Sequence, residues 1–166
     1  SLPVEISVGD TPGCSLCAEL GPVDEIRPGN FVFCDAQMLR LGACRFEQVA
    51  AVVACPVVAL HPERDEALVY GGAVHLSKDY LIEDGLTKYG YVVLIGETGW
   101  TGPLEGAWVA RLSQEHGVLH IPRAQLDRLQ IGGLIGIIPA HVCLTVSALR
   151  RYMTTNGEEI TTLYWA

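Results

Sequence analysis

The sequence predicts a mainly β fold, closed into a barrel or packed as a sandwich, with few and short helices. Short runs rich in Val, Ile, Leu and aromatic residues recur between Gly and Pro punctuation, and no helical periodicity runs long enough to organise a domain. In order, strands are expected at Val4-Val8, Phe31-Asp35, Val49-Leu60, Leu68-Tyr70, Tyr91-Gly96, Trp108-Leu112, Gly117-Ile121, Leu134-Ile138, Val142-Val146 and Thr161-Trp165. That makes about ten strands, too many for one open antiparallel sheet to be the simplest arrangement. One or two helical turns are expected at Ala36-Leu41, and a second short helix at Arg123-Leu129, where Pro122 precedes and Leu126 and Leu129 share a face. Turns are signalled at Arg27-Pro28-Gly29-Asn30, Glu83-Asp84-Gly85, Gly99-Trp100-Thr101-Gly102-Pro103 and Asn156-Gly157.

With 166 residues, 49% of them hydrophobic, the chain can bury a core as one domain, or as one domain plus a strip of a second. A formal charge of -8 opposes binding to phosphate backbones or anionic lipid, so no nucleic-acid partner is expected. Gly, Pro or charge interrupts every apolar run, which argues against a membrane-spanning helix. Ser1 to Asp10 lacks a basic region followed by an apolar one, so nothing marks the chain for secretion and a cytoplasmic location is expected. Most of the six cysteines read as buried thiols, because a chain this long and apolar does not depend on disulfides.

Three constellations carry chemistry. His141 and Cys143 stand two residues apart; in an extended chain both side chains project from one face and can grip one ion. Nitrogen plus thiolate suits Zn²⁺ and leaves positions open for water or substrate, although a core histidine beside an inert cysteine satisfies the same pattern. Gly9-Asp10-Thr11, after a strand, offers an anion cradle of backbone N–H groups and a hydroxyl, or an ordinary turn whose exit Pro12 fixes. His75, between Gly71-Gly72 and Ser77-Lys78-Asp79, ranks above His61, His116 and His120 as a residue near a site. Cys14-Ser15-Leu16-Cys17 reads as packing, and Gly132-Gly133 as a turn into a strand. A change in composition near Gly21-Pro22 suggests a boundary.

Several stretches together carry a resemblance. Ser7-Val8-Gly9-Asp10-Thr11-Pro12, the run from Val23 to Phe33, the run from Gly71 to Asp79, Glu115-His116-Gly117 and the run from Ile138 to Cys143 resemble, in order, the D-serine dehydratase and D-threonine aldolase family. These are pyridoxal-phosphate enzymes with an alanine-racemase-like TIM barrel followed by a β-domain. The resemblance implies that residues 1–20 are the last strand and phosphate loop of a barrel otherwise absent, and that 21–166 form an antiparallel β-barrel-like C-terminal domain. It further implies that Gly9, Asp10 and Thr11 touch the pyridoxal phosphate, that His141 and Cys143 hold Zn²⁺ or another divalent cation, and that His75 lies nearby.

The activity so implied is the conversion of a small D-β-hydroxy amino acid, most like D-serine to pyruvate and ammonia, with the metal on the substrate's β-hydroxyl. A cysteine as the second ligand favours a dehydratase over the aldolases, which commonly place Asp there. D-threonine aldolase and a D-hydroxyaspartate-type dehydratase remain alternatives, as does a stand-alone metal-binding or dimerisation domain. The lysine that would hold the cofactor has no match, since only Lys78 and Lys88 are present and neither stands in a matching context. The chain alone is therefore expected to be inactive. Its expected partners are the N-terminal TIM barrel and a second copy in a homodimer.

Overall fold

The computed structural model describes residues 4–162. Two short strands come first, β1 (Ser7–Val8) and β2 (Glu25–Ile26), paired in parallel. From Val53 onward the chain forms β3 (Val53–His61), β4 (Glu66–Tyr70), the hairpin of β5 (Leu81–Glu83) and β6 (Leu86–Lys88), β7 (Gly90–Gly96), β8 (Gly99–Trp100), β9 (Trp108–Leu112), β10 (His116–His120) and β11 (Leu134–Pro139). Hydrogen-bonded neighbours run β11-β3-β4-β10-β9-β7, and β7 pairs back onto β11. Every pairing in this ring is antiparallel, so six strands close a barrel and no long edge is left open. A last hairpin joins β12 (Arg151–Met153) to β13 (Glu159–Thr161). Of the expected final strand Thr161-Trp165, the residues beyond Thr162 lie outside the described part.

Period-two patterning explains the barrel. Along β3, Val53, Cys55 and Val57 are buried while Ala54, Pro56 and Val58 face out, as a strand with one wet face requires. With Val69, Val92, Val109, Leu119, Ile135 and Ile137 they fill the interior. Where β7 meets β11 the sheet is covered on its outer side too: Val93, Ile138 and Ala140 pack against Cys34, Ala36, Met38, Val49 and Leu81. That outer cluster holds the end of β11, from which the site departs.

Among the described residues five short α-helices decorate the barrel: α1 (Thr11–Leu16), α2 (Ala36–Arg40), α3 (Ala73–Leu76), α4 (Arg123–Leu126) and α5 (Val142–Leu149). The expected helices at 36 and 123 are present, and Gly132-Gly133 does lead into β11. Two expected strands are not strands. Asn30–Val32 is a 3-10 turn leading to Cys34 at φ +53, and Val142–Leu149 is helical, buried along Val142 and Thr145. The cysteines also differ from expectation, since Cys34 and Cys55 are buried, Cys14 and Cys44 half-buried, and Cys17 and Cys143 exposed. Among the described residues no helix is long and apolar enough to cross a membrane.

The β5–β6 hairpin is tied to the barrel by charge. Lys88 donates to Glu83 across the hairpin and lies 5.2 Å from the centre of the Trp108 ring, while the Tyr91 hydroxyl donates to Glu83 at 3.2 Å. The Lys88 hydrogen bond, helped by the charges of Lys88 and Arg40, holds the Glu83 carboxyl below its ordinary value against the opposing effect of burial. Burial and the Glu83 charge push the Tyr91 phenol up to about 12. A carboxyl depressed on folding contributes stability that is present above its ordinary value and lost as the pH falls from there through the lowered value of the folded chain. Acidification is therefore expected to destabilise the native chain more than a Glu83→Gln variant. Urea unfolding of both at neutral and acid pH measures the difference, and equal losses would count against this account.

Candidate metal centre

β11 delivers the site. Its last residue, Pro139, is followed by Ala140, whose N–H donates to the Tyr89 carbonyl at 3.1 Å and whose carbonyl accepts from Gln37 of α2 at 3.2 Å. His141 then stands as the residue before α5, in extended conformation. No capping hydrogen bond comes from its own side chain; the helix start is satisfied from a distance by Asp35, whose Oδ2 accepts from Val142 N at 3.0 Å. The same oxygen faces His141 Nδ1 at 3.0 Å and accepts from Asn30 Nδ2 at 2.6 Å. Oδ1 accepts from Met38 N at 2.9 Å, capping α2. Asp35 is fully buried, whereas the His141 side chain is 34% exposed, so the ring leans on a buried carboxylate while part of it stays open.

Sequence reasoning placed His141 and Cys143 on one face of a strand. That geometry is not present: the extended chain ends at His141, and Cys143 sits in the first turn of α5, where residues two apart diverge around the helix. Neither side chain is sealed in the interior, since His141 is half-buried and Cys143 exposed. The thiol is raised above its ordinary value, first by partial burial and then by the charges of Asp35 and Asp79. Negative charge from Asp35 and Asp79 thus bears on the thiol, and a cation nearby would offset it.

Beside His141 opens a cavity of about 230 Å³, lined also by Gln37, Lys78, Asp79, Tyr80 and Ala140. The loop that forms one wall leaves α3 through Ser77 at φ +62, a conformation an L residue adopts at a cost. Ser77 Oγ donates to Asp79 Oδ2 at 2.9 Å and accepts from Asp79 N at 3.1 Å, which fixes the turn. Among the described residues no group of three or more His, Cys, Asp and Glu side chains is gathered closely enough to hold a metal ion. His141 lines this cavity, and Cys143 is not among its lining residues.

The three residues of the expected phosphate turn do different things. Gly9 lies against the Arg27 guanidinium, which a Cβ there would meet at 3.4 Å, so its backbone faces a cation. Arg27, read in the sequence only as a turn residue, reaches this place because β1 and β2 pair and its Nε donates to Ser7 Oγ at 2.8 Å, with the Glu25 carboxylate 3.4 Å away. Asp10 caps α1, its carboxylate accepting from Gly13 N at 2.9 Å, and so takes an N–H that an anion would otherwise use. Thr11 is buried, and its hydroxyl accepts from Asn30 N at 3.0 Å while keeping its own hydrogen to donate.

His75 is in α3, edge-on to Tyr70 at 5.0 Å with its Nδ1 accepting from Gly72 N, and does not line the His141 cavity. Lys78, Asp79 and Tyr80, further along the same stretch, do. His116 is also edge-on to Tyr70, at 5.8 Å, His120 lies 4.1 Å from Trp108, and His61 pairs with Glu63 at the surface.

A family model of the serine dehydratase domain matches residues 50–155, which include the whole barrel as well as His141 and Cys143. This chain belongs to that family. It is 32% identical over 161 residues to D-serine dehydratase from Dictyostelium discoideum, a match covering 92% of this chain and 40% of that protein. Among solved structures, an alanine-racemase-like protein from Idiomarina loihiensis superposes with a TM-score of 0.77 at 29% identity, over 95% of this chain and 42% of the other. D-threo-3-hydroxyaspartate dehydratase from Delftia sp. gives a TM-score of 0.77 at 27% identity, over 95% and 43%. The last enzyme has also been solved with a histidine replaced by alanine and, two residues further on, with a cysteine replaced by alanine in a metal-free form. The chain spans about two fifths of the length of the curated relatives it matches.

Proposed function

We propose that this chain is the metal-holding part of a pyridoxal-phosphate-dependent D-β-hydroxy-amino-acid dehydratase, with His141 and Cys143 as its ligands to Zn²⁺ or a similar divalent cation. The observation that carries this is the hydrogen bond between buried Asp35 and His141 Nδ1, the arrangement that holds a ligating imidazole and raises its basicity. The donor set fits a borderline cation, and the charges of Asp35 and Asp79 favour one. The variants of the hydroxyaspartate dehydratase concern a histidine and a cysteine with the same spacing. The reading rests on the residue types, their spacing and the Asp35 contact rather than on the strand-pleat geometry, because Cys143 lies in the first turn of α5.

The turn Gly9–Thr11 fits an anion in part. Gly9 backbone beside Arg27 and the free hydrogen of Thr11 would hold a phosphate, while Asp10 shapes the turn without touching it. When bound, pyridoxal phosphate withdraws electrons from the substrate's α-carbon, and the cation acts as a Lewis acid at the β-hydroxyl. This chain's own part is to hold that cation through one nitrogen and one sulfur and to wall the adjoining cavity with Lys78, Asp79 and Tyr80. Lys88 is engaged with Glu83 and Trp108, and Lys78, in the cavity wall, stands in a sequence context unlike that of a cofactor lysine. We assign the cofactor lysine to the N-terminal barrel.

The test is product analysis on the full-length protein that carries this chain, given D-serine, D-threonine and D-threo-3-hydroxyaspartate. Ammonia and a 2-oxo acid are expected. Glycine with an aldehyde as the main products would overturn the dehydratase reading, and no turnover of any of the three would overturn the activity itself. Cys143→Ala is expected to lower kcat/KM by about a hundredfold or more, the loss of several kcal/mol of charge stabilisation by the cation.

A further inference from the structure

The buried polar side chains among the described residues are Thr11, Asn30, Asp35 and Thr145, and they lie on one thread that passes through His141. Thr11 Oγ1 accepts from Asn30 N at 3.0 Å; Asn30 Nδ2 donates to Asp35 Oδ2 at 2.6 Å; that oxygen faces His141 Nδ1 at 3.0 Å; and Thr145 Oγ1 approaches the His141 carbonyl at 3.5 Å. Burying polar groups costs free energy unless each is satisfied, and an apolar filling would hold α2 and α5 together at less cost. The thread is also long-range in sequence: it reaches from the turn at residue 11 to the helix start at residue 142, beside the cluster that covers the outer side of β7 and β11.

Its hydrogens are determined by its acceptors. The Asp35 carboxylate already accepts from Asn30 Nδ2, Met38 N and Val142 N, so His141 Nδ1 completes the set by donating. The hydrogen of the neutral imidazole is then on Nδ1, and Nε2 keeps its lone pair. The amide orientation of Asn30 is fixed by the same logic, because reversing it would set its carbonyl oxygen against the carboxylate. In the observed orientation Asn30 Oδ1 is buried without a partner.

We propose that Asp35 and Asn30 are positioning residues: they lock His141 in the tautomer that offers Nε2 to a cation and tie that ring to the turn at Thr11. The inference rests on the metal reading above and adds to it residues that touch no metal, cofactor or substrate.

The experiment measures two things on the full-length protein. One is the ¹⁵N spectrum of the His141 ring in the metal-free state, at a pH where the ring is neutral; the other is zinc affinity by chelator competition for wild type, Asp35→Asn, Asn30→Ala and His141→Ala. The wild-type ring is expected with its hydrogen on Nδ1. Zinc affinity is expected to fall about 10–100-fold in Asp35→Asn. Asn30→Ala, which leaves both helix caps of Asp35 in place, is expected to lose less, in the same direction. A metal-free wild-type ring with its hydrogen on Nε2 overturns the inference whatever the zinc data show. Wild-type affinity in both Asp35→Asn and Asn30→Ala, with binding lost in His141→Ala, overturns it and leaves the metal reading standing. Zinc kept by His141→Ala, or not taken up by wild type, overturns both. If Asp35→Asn fails to fold, the ring spectrum and Asn30→Ala decide.

Discussion

Asp35→Ala is expected to remove about 3–5 kcal/mol of folding stability, the range for taking one partner from a buried charged network. The carboxylate is fully buried and is the acceptor for Asn30 Nδ2, Met38 N and Val142 N besides His141 Nδ1. Alanine leaves those donors facing a dry hole, and each unsatisfied buried donor costs about 1–3 kcal/mol before the surroundings relax. Both α2 and α5 lose their N-terminal caps in the same substitution. Denaturant unfolding gives the number directly, and a loss below about 1 kcal/mol would mean that water or a shifted backbone replaces the carboxylate at little cost.

Gly90→Ala is expected to destabilise the barrel by about 3 kcal/mol, at the upper end of what overpacking usually costs. Gly90 is buried on β7 opposite Pro139 of β11, on the seam that closes the ring. A Cβ there would lie 2.5 Å from the Ile138 carbonyl oxygen and 3.0 Å from Ile137 Cγ2. Because the nearest obstacle is backbone, no rotamer change relieves it; β7 and β11 must part. The residues beyond that contact are Ala140 and His141, so the same variant is expected to weaken zinc binding as well. Gly85→Ala is the control, having open space around its Cβ position but φ +75, and its loss reports backbone strain alone. Losses of equal size at the two positions would contradict the steric explanation.

The barrel strands were legible because their signal is local. Period-two burial along β3 and the apolar run of β11 follow from the residues themselves, and turn residues mark where each strand ends. α5 was not legible. Val142, Thr145 and Val146 favour a strand by propensity, and the group that starts the helix is Asp35, 107 residues away, so no capping residue stands next to it in the sequence. The expected strand at Phe31-Asp35 failed for a related reason: Asp35 is needed as a cap and Cys34 turns through positive φ to deliver it. α1 did leave a trace. Asp10 before Thr11-Pro12 is a cap followed by proline in the first helical turn, a helix-start signal outweighed by the reading of the same residues as a phosphate turn.

The site divides along the same line. His141 and Cys143 were legible as a pair of donor types, whereas their arrangement was not, because it depends on where the strand stops and the helix begins. Asp35 and Asn30 left no sequence signal as site residues, since an Asp and an Asn ahead of a short helix serve as ordinary turn and cap residues almost everywhere. Only the tertiary fold brings the carboxylate under the imidazole.

Zinc content per chain, measured on the full-length protein and on its His141→Ala and Cys143→Ala variants after identical purification, tests the central claim most directly. The account predicts about one zinc in the wild type and a large loss in each variant. Equal zinc in all three would contradict it.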